Sequence, residues 1–173
     1  MENQANSKSI IINNGLILGA SSVLLSLTMY ALGKHLNPHW SLSIVSMLIT
    51  ITLIVLGIKK YRAINNDLIT WGQSVKIGVG ITVLAALVSV IYNYIFVSFI
   101  EPDFMTQMME VQNQKMLDGG MSEEQIEAAN EMSQKLSSPL IGAAMGIIGS
   151  AVLGFIISAI AGAIMKKTEE NEY

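Results

Sequence analysis

Four stretches of the chain carry no Asp, Glu, Lys or Arg: residues 10–32, 40–58, 77–100 and 140–165. Each has the roughly 20 residues that a helix needs to cross a bilayer core about 30 Å thick. None shows the polar stripe that a helix on the surface of a soluble protein turns to water. The pattern therefore predicts four membrane-spanning helices. Helix-start signals adjust two of them. Thr70-Trp71-Gly72-Gln73 fits a capping box, in which Thr70 accepts from the first-turn amides and Gln73 reaches back, so the third span begins near Trp71. At 1.5 Å per residue a helix from there to Ile100 is about 45 Å long, so it tilts or protrudes, with Lys76 snorkelling to the headgroups. Ser138 is placed as an N-cap, with Pro139 at the first helical position, where its missing amide costs nothing. The spans read as about 10–32, 40–58, 71–100 and 140–165 of a single membrane domain, with a tail at 166–173.

Between spans three and four the pattern changes. Phe104, Met105, Met108, Met109, Val111 and Met116 gather on one arc at helical spacing, opposite Asp103, Thr106, Glu110 and Gln114. Asp118-Gly119-Gly120 stops that helix, because glycine accepts the left-handed conformation of a C-cap. Ser122 and Gln125 form a second capping box, and Met121 and Ile126 are spaced as a hydrophobic staple. The second helix places Ile126, Ala129, Met132 and Leu136 opposite Glu123, Glu124, Glu127 and Glu131. The expected architecture is thus all-α: an integral membrane four-helix bundle with an extracytoplasmic amphipathic helical hairpin over residues 101–138.

Composition agrees with this reading, at 51% hydrophobic and 13% charged residues and a mean hydropathy of +0.51. Charge adds sidedness. Lys8, Lys59, Lys60, Arg62, Lys76, Lys166 and Lys167 fall on the side of the termini, against Lys34, Lys115 and Lys135 on the other, which places both termini in the cytoplasm by the positive-inside rule. Trp40 and Trp71 flank spans two and three, where indoles favour the headgroup layer. The first span is longer than the ~7–15-residue apolar region of a signal peptide and no clear A-x-A site follows it, so it reads as retained. With no cysteine in the chain, disulfides, thiolate metal sites and cysteine nucleophiles are excluded.

The most regular signal lies in span four, where Gly142, Gly146, Ser150, Gly154, Ser158 and Gly162 recur at every fourth position. Hydrophobic association is weak in lipid, so helices pair by close backbone approach, which small residues permit. Span three offers Ser74, Gly78, Thr82 and Ala86 at the same spacing, and span one offers Gly15 and Gly19. The ridge predicts packing within the bundle, with self-association as the alternative.

Candidate chemistry is sparse. Apart from Lys76 near the start of the third, the spans hold no charge, and the hairpin glutamates fall on a solvated face. No serine has a His-Asp context, so no catalytic residue is assigned and a non-enzymatic protein is expected. Asn93 is the most polar side chain deep in a span and suggests an interhelical hydrogen bond, with a substrate contact as the other reading. His35 and His39 have metal-ligand spacing, but Pro38 interrupts any helix there and only two ligands are visible, so a solvent-exposed loop is expected. Met105, Met108, Met109 and Met116 could offer thioethers to Cu(I), yet the same spacing is an apolar helix face, and no metal or cofactor is expected. With Phe104 these methionines form the expected apolar face of the hairpin. Lys59, Lys60 and Arg62 form a basic cytoplasmic turn suited to anionic headgroups or a partner.

"GIKKYRAINNDLITWGQSVKIG", followed by an apolar span and "FIEPDF", resembles the family of small bacterial membrane proteins catalogued as domain of unknown function 4199. The matching residues are Tyr61-Arg62, Trp71-Gly72-Gln73, Lys76, Gly78, Ile100, Pro102, Asp103 and Phe104. The family's usual glycine-rich turn is replaced here by Asn65-Asn66-Asp67, which also turns readily. The resemblance covers about residues 5–167 and implies a four-span protein of the bacterial inner membrane, with no activity to carry over. The expected role is that of a structural, interaction or accessory membrane protein, and the rival reading is a small transporter or channel component. Its expected partners are membrane lipids and either a membrane protein or a second copy of the chain, without nucleic acid.

Overall fold

The computed structural model describes residues 6–136 and 138–168, with backbone alone at 134–136. The side chains of Lys135 and Leu136 and the end of the tail lie outside the described residues. Helices run over Ser7–Ala31 (α1), Trp40–Ile64 (α2), Trp71–Ile95 (α3), Phe104–Asp118 (α4), Glu123–Leu136 (α5) and Pro139–Met165 (α6). A single π-helical turn, Phe96–Ile100, extends α3. Four of these elements are long and apolar enough to cross a membrane: α1, α2, α3 with its π turn, and α6.

The local start and stop signals act as their chemistry requires. At α3 the Gln73 amide donates to Thr70 Oγ1 at 3.2 Å and the Thr70 amide to Gln73 Oε1 at 2.8 Å. Ser122 and Gln125 make the same reciprocal pair, at 3.0 and 3.3 Å. Ser138 Oγ caps α6 through the Ile141 amide, with Pro139 in its first turn. Helix α4 ends with Gly120 at φ 84°, the Met121 amide donating to Met116 O and the Gly120 amide to Leu117 O. Helix α2 continues to Ile64, six residues past the expected end at 58, because lysines leaving the hydrocarbon do not end a helix and a cation in the last turn favours it.

Helix α3 is the centre of the bundle, packed along α6 on one side and α1 on the other. The α3–α6 contact is antiparallel and built from small residues. A Cβ added to Gly78 would collide with Ser158, one added to Gly154 with Thr82, and one added to Gly162 would lie 2.7 Å from Ser74 Cβ. The hydroxyls that enter this contact are satisfied within their own helices, Ser74 by Thr70 O at 3.2 Å and Ser158 by Gly154 O at 2.5 Å, so they are buried without an orphaned donor. The α1–α3 contact is parallel, with Gly15 under Leu84 and Gly19 under Val88. Helix α2 closes the bundle through Gly57, against Ile81 and Asn14.

The core lies toward the α2–α3 loop. Ile54, Ile58, Ile77 and Ile81 are fully buried, and Tyr61, Ile69, Ile157 and Ala161 join them. At the opposite end α6 diverges, and a Cβ at Gly142, Gly146 or Gly149 would meet nothing within 4 Å.

Candidate functional site

At that more open end three segments converge. Helix α1 ends on Gly33 at φ 64°, with the Lys34 amide donating to Met29 O and the Gly33 amide to Tyr30 O. This left-handed stop folds the chain back and sets His35 beside the end of α1. The π turn of α3 closes with the Glu101 amide on Phe96 O at 2.9 Å. Phe96 is buried there at 4% exposure, and Glu101 follows immediately after the turn. Pro102 and Asp103 then lead into Phe104, the first residue of α4.

His35 Nε2 and Glu101 Oε2 are 2.8 Å apart, with side-chain exposures of 15% and 14%. The distance is that of an ion pair, but the ring N–H is not aimed along the line to the oxygen. Among the described residues neither His35 nitrogen has an aligned hydrogen-bond partner. Aromatic rings enclose the imidazole. Phe104 stacks on it at 6.0 Å and 26°, Tyr30 meets it edge-on at 5.1 Å, and Phe96 lies at 6.4 Å. Phe96 is the hub, also touching Tyr30, Phe104 and Tyr92. The Tyr92 hydroxyl is buried without a hydrogen-bond partner among the described residues. A second tie crosses the surface, where Lys115 Nζ on α4 donates to Asn37 Oδ1 at 2.9 Å.

His35 also closes one end of a cleft of about 260 Å³ between α1 and α2, lined by Ser22, Ser26, Met29, Pro38 and Ser46 among others. Ser22 donates to its own helix at Leu18 O. A separate cleft of about 420 Å³ lies between α4 and α5, with Leu117 and Ile126 among Asn113, Glu123, Glu127, Asn130 and Glu131. Among the described residues no three His, Cys, Asp or Glu side chains converge to hold a metal ion.

The other end of the bundle carries a charge clasp. Asp67 receives Lys167 Nζ at 2.6 Å and Arg62 Nε at 2.8 Å, and Ile69 and Lys167 exchange backbone hydrogen bonds. The Lys167 hydrogen bond foremost, and then that of Arg62, hold the Asp67 carboxyl below the usual carboxylate range.

The residues singled out from sequence are distributed as follows. Gly154, Ser158 and Gly162 pack on α3, whereas Gly142 and Gly146 face open space and Ser150 is half-buried. Lys59 and Lys60 are exposed on the last turns of α2, while the Arg62 guanidinium is engaged by Asp67 and by Met165 O at 3.5 Å. The hairpin face divides: Phe104 turns into the aromatic enclosure, Met109 and Met116 are half-buried, and Met105 and Met108 are 58% and 36% exposed.

Two expectations need correction. His35 is not in open solvent, because the glycine stop and the π turn bring it against Glu101, and His39 instead caps α2, accepting from the Ser41 amide at 3.3 Å. Among the described residues Asn93 has no side-chain hydrogen bond to another helix. It lies exposed about 33 Å along α3 from Trp71, near the far boundary, where water can serve it. Glu101 and Tyr30 had no role from sequence. The available signal was the Ile100 to Phe104 exit motif, which contains both Glu101 and its aromatic neighbour.

Four apolar spans, with α3 at their centre and the ionisable pair at a helix end, define a multi-pass membrane protein. The chain matches the family described as "Protein of unknown function (DUF4199)" over residues 13–167, and it belongs to that family. No curated protein and no solved structure matches it.

Proposed function

We propose that the protein is a non-enzymatic accessory protein of the bacterial inner membrane whose α4–α5 segment, on the extracytoplasmic side, engages a partner protein or the lipid surface. One observation carries the reading. An acidic two-helix segment next to the spans leaves Met105, Met108, Leu117, Met121 and Met132 exposed, the last at 68%. Large apolar side chains on an otherwise charged element mark an interaction surface. The lysine distribution supports cytoplasmic termini. Photo-crosslinkers at Met105 and Met132 in native membranes test the first part: adducts with protein or lipid support it, and positions free of both overturn it. A reporter fused after Tyr173 that is active only outside the cytoplasm overturns the orientation.

A second reading, a small transporter or channel component, is favoured by the cleft between α1 and α2. Ser22, Ser26 and Ser46 line it together with His35. Flux through proteoliposomes above that of empty vesicles supports it, and equal leakage for common cations and anions counts against it.

A further inference from the structure

His35 and Glu101 are buried together although each alone is costly to take out of water. Their enclosure is suited to opposite charges in company. Phe104 presents its ring face to the imidazole, a geometry that favours a cation, and Glu101 supplies the balancing charge. With one charge removed, the other is left uncompensated among rings. The enclosure also fastens α4, because Phe104 is its first residue. Helix α4 buries none of its own residues fully, so its packing gives little independent hold.

We propose that the His35–Glu101 pair is a protonation-controlled latch that fastens α4, and with it α5, to the α1–α2 loop, and that loss of either charge releases α4. The inference goes beyond the accessory role above and does not depend on it. The groups that face His35 are Tyr30 from α1, Phe96 and Glu101 from the end of α3, with Tyr92 behind Phe96, and Phe104 from α4. Lys34 and Asp103 are exposed neighbours in the chain, and Lys115 binds Asn37 nearby. Among the described residues, Glu101 is the one carboxylate within ion-pair distance of His35. Acidification that protonates Glu101 leaves an uncompensated imidazolium. Alkalinisation that neutralises His35 leaves an uncompensated carboxylate. The latch therefore holds in the interval where both are charged.

The chain has no cysteine, so one introduced thiol carries a spin label uniquely. T106C places the label on an exposed position of α4, and A144C on α6 serves as the control. In full-length protein in liposomes, the immobile component of the T106C spectrum should be greatest at intermediate pH. It should be lost toward both ends of a titration from about pH 4 to 9, while A144C stays flat. E101Q should lose the immobile component at every pH. A T106C spectrum flat across the range overturns the proposal, as does E101Q titrating like the parent. Should E101Q not be recovered folded, H35F/E101Q keeps the aromatic filling without either charge and must be pH-independent; a surviving transition assigns the titration elsewhere and overturns the latch.

Discussion

Adding one methyl group at two glycines of the same helix should have opposite consequences. At Gly154 an ideal Cβ would overlap Thr82 Oγ1 and lie 3.0 Å from Gly78 O. Neither neighbour can retreat easily. Thr82 Oγ1 donates to Gly78 O at 3.3 Å and to Val79 O at 3.1 Å, so turning the hydroxyl away costs those bonds, and Gly78 O is backbone. G154A must therefore push α6 away from α3 along the row that also seats Ser158 and Gly162. Overpacking of this kind costs about 1–3 kcal/mol, and a gap of 0.5–1 Å forfeits roughly a quarter to a half of each dispersion contact it opens. At Gly146 a Cβ meets nothing within 4 Å. G146A should be neutral or stabilising by about 0.5–1 kcal/mol, through the lower conformational entropy of alanine. The natural reporter is Trp71, whose Nε1 donates to Ala159 O at 3.1 Å and whose ring lies against Phe155 on α6. Thermal unfolding in detergent, followed by tryptophan emission, should show G154A lowered by roughly 2–12 °C for a chain of this size and G146A unchanged or raised. Equal midpoints for the two variants, or a greater loss for G146A, would refute the assignment of tight packing to one half of the helix.

Three further outcomes follow from other contacts. D67N removes the negative charge shared by Arg62 and Lys167; because the folded carboxyl titrates below its unfolded value, its stabilisation is present at neutral pH and lost as pH falls through that lowered value. Acid unfolding curves should show a step in the parent that D67N lacks, and superimposable acid limbs would refute the clasp. W71F keeps a ring against Phe155 but loses the bond to Ala159 O, which should cost about 0.5–1.5 kcal/mol in a chemical denaturation series; an unchanged midpoint would show that the exposed indole contributes nothing there. I126A empties the one buried apolar position among the described side chains of α5, so amide exchange should accelerate across residues 123–133 while the four spans keep their protection.

Features that a few adjacent residues decide were legible in the sequence. Both capping boxes, the Ser138-Pro139 start and the Gly119-Gly120 stop are chemistry within one helical turn, and all four form. Span existence was legible for a similar reason, since absence of charge is a property of each stretch alone. The working half of the α6 ridge was not, because it depends on a second helix. Continued at fourfold spacing, the small row of α3 ends at Ala86 and passes to Val90 and then to Tyr94, side chains too large for close backbone approach. The His35–Glu101 pair was hidden more deeply. It joins two junctions distant in sequence, and only the left-handed Gly33 and the π turn after Ile95 make them meet.

These features divide the molecule into a fastened end and an adjustable one. Around the α2–α3 loop lie the fully buried isoleucines, the interlocked small residues, the Asp67 clasp and the backbone pairing of Ile69 with Lys167. Opening there would break all of them together, so this end sets global stability. At the other end α6 stands away from α3, α4 buries no residue fully, and closure involves aromatic contacts, the exposed Lys115–Asn37 hydrogen bond and one poorly aligned charge pair. Polar pairs enclosed by rings are sensitive to a single proton in a way that packed isoleucines are not. On the latch proposed above, a change at His35 or Glu101 moves α4 while the fastened half stays assembled.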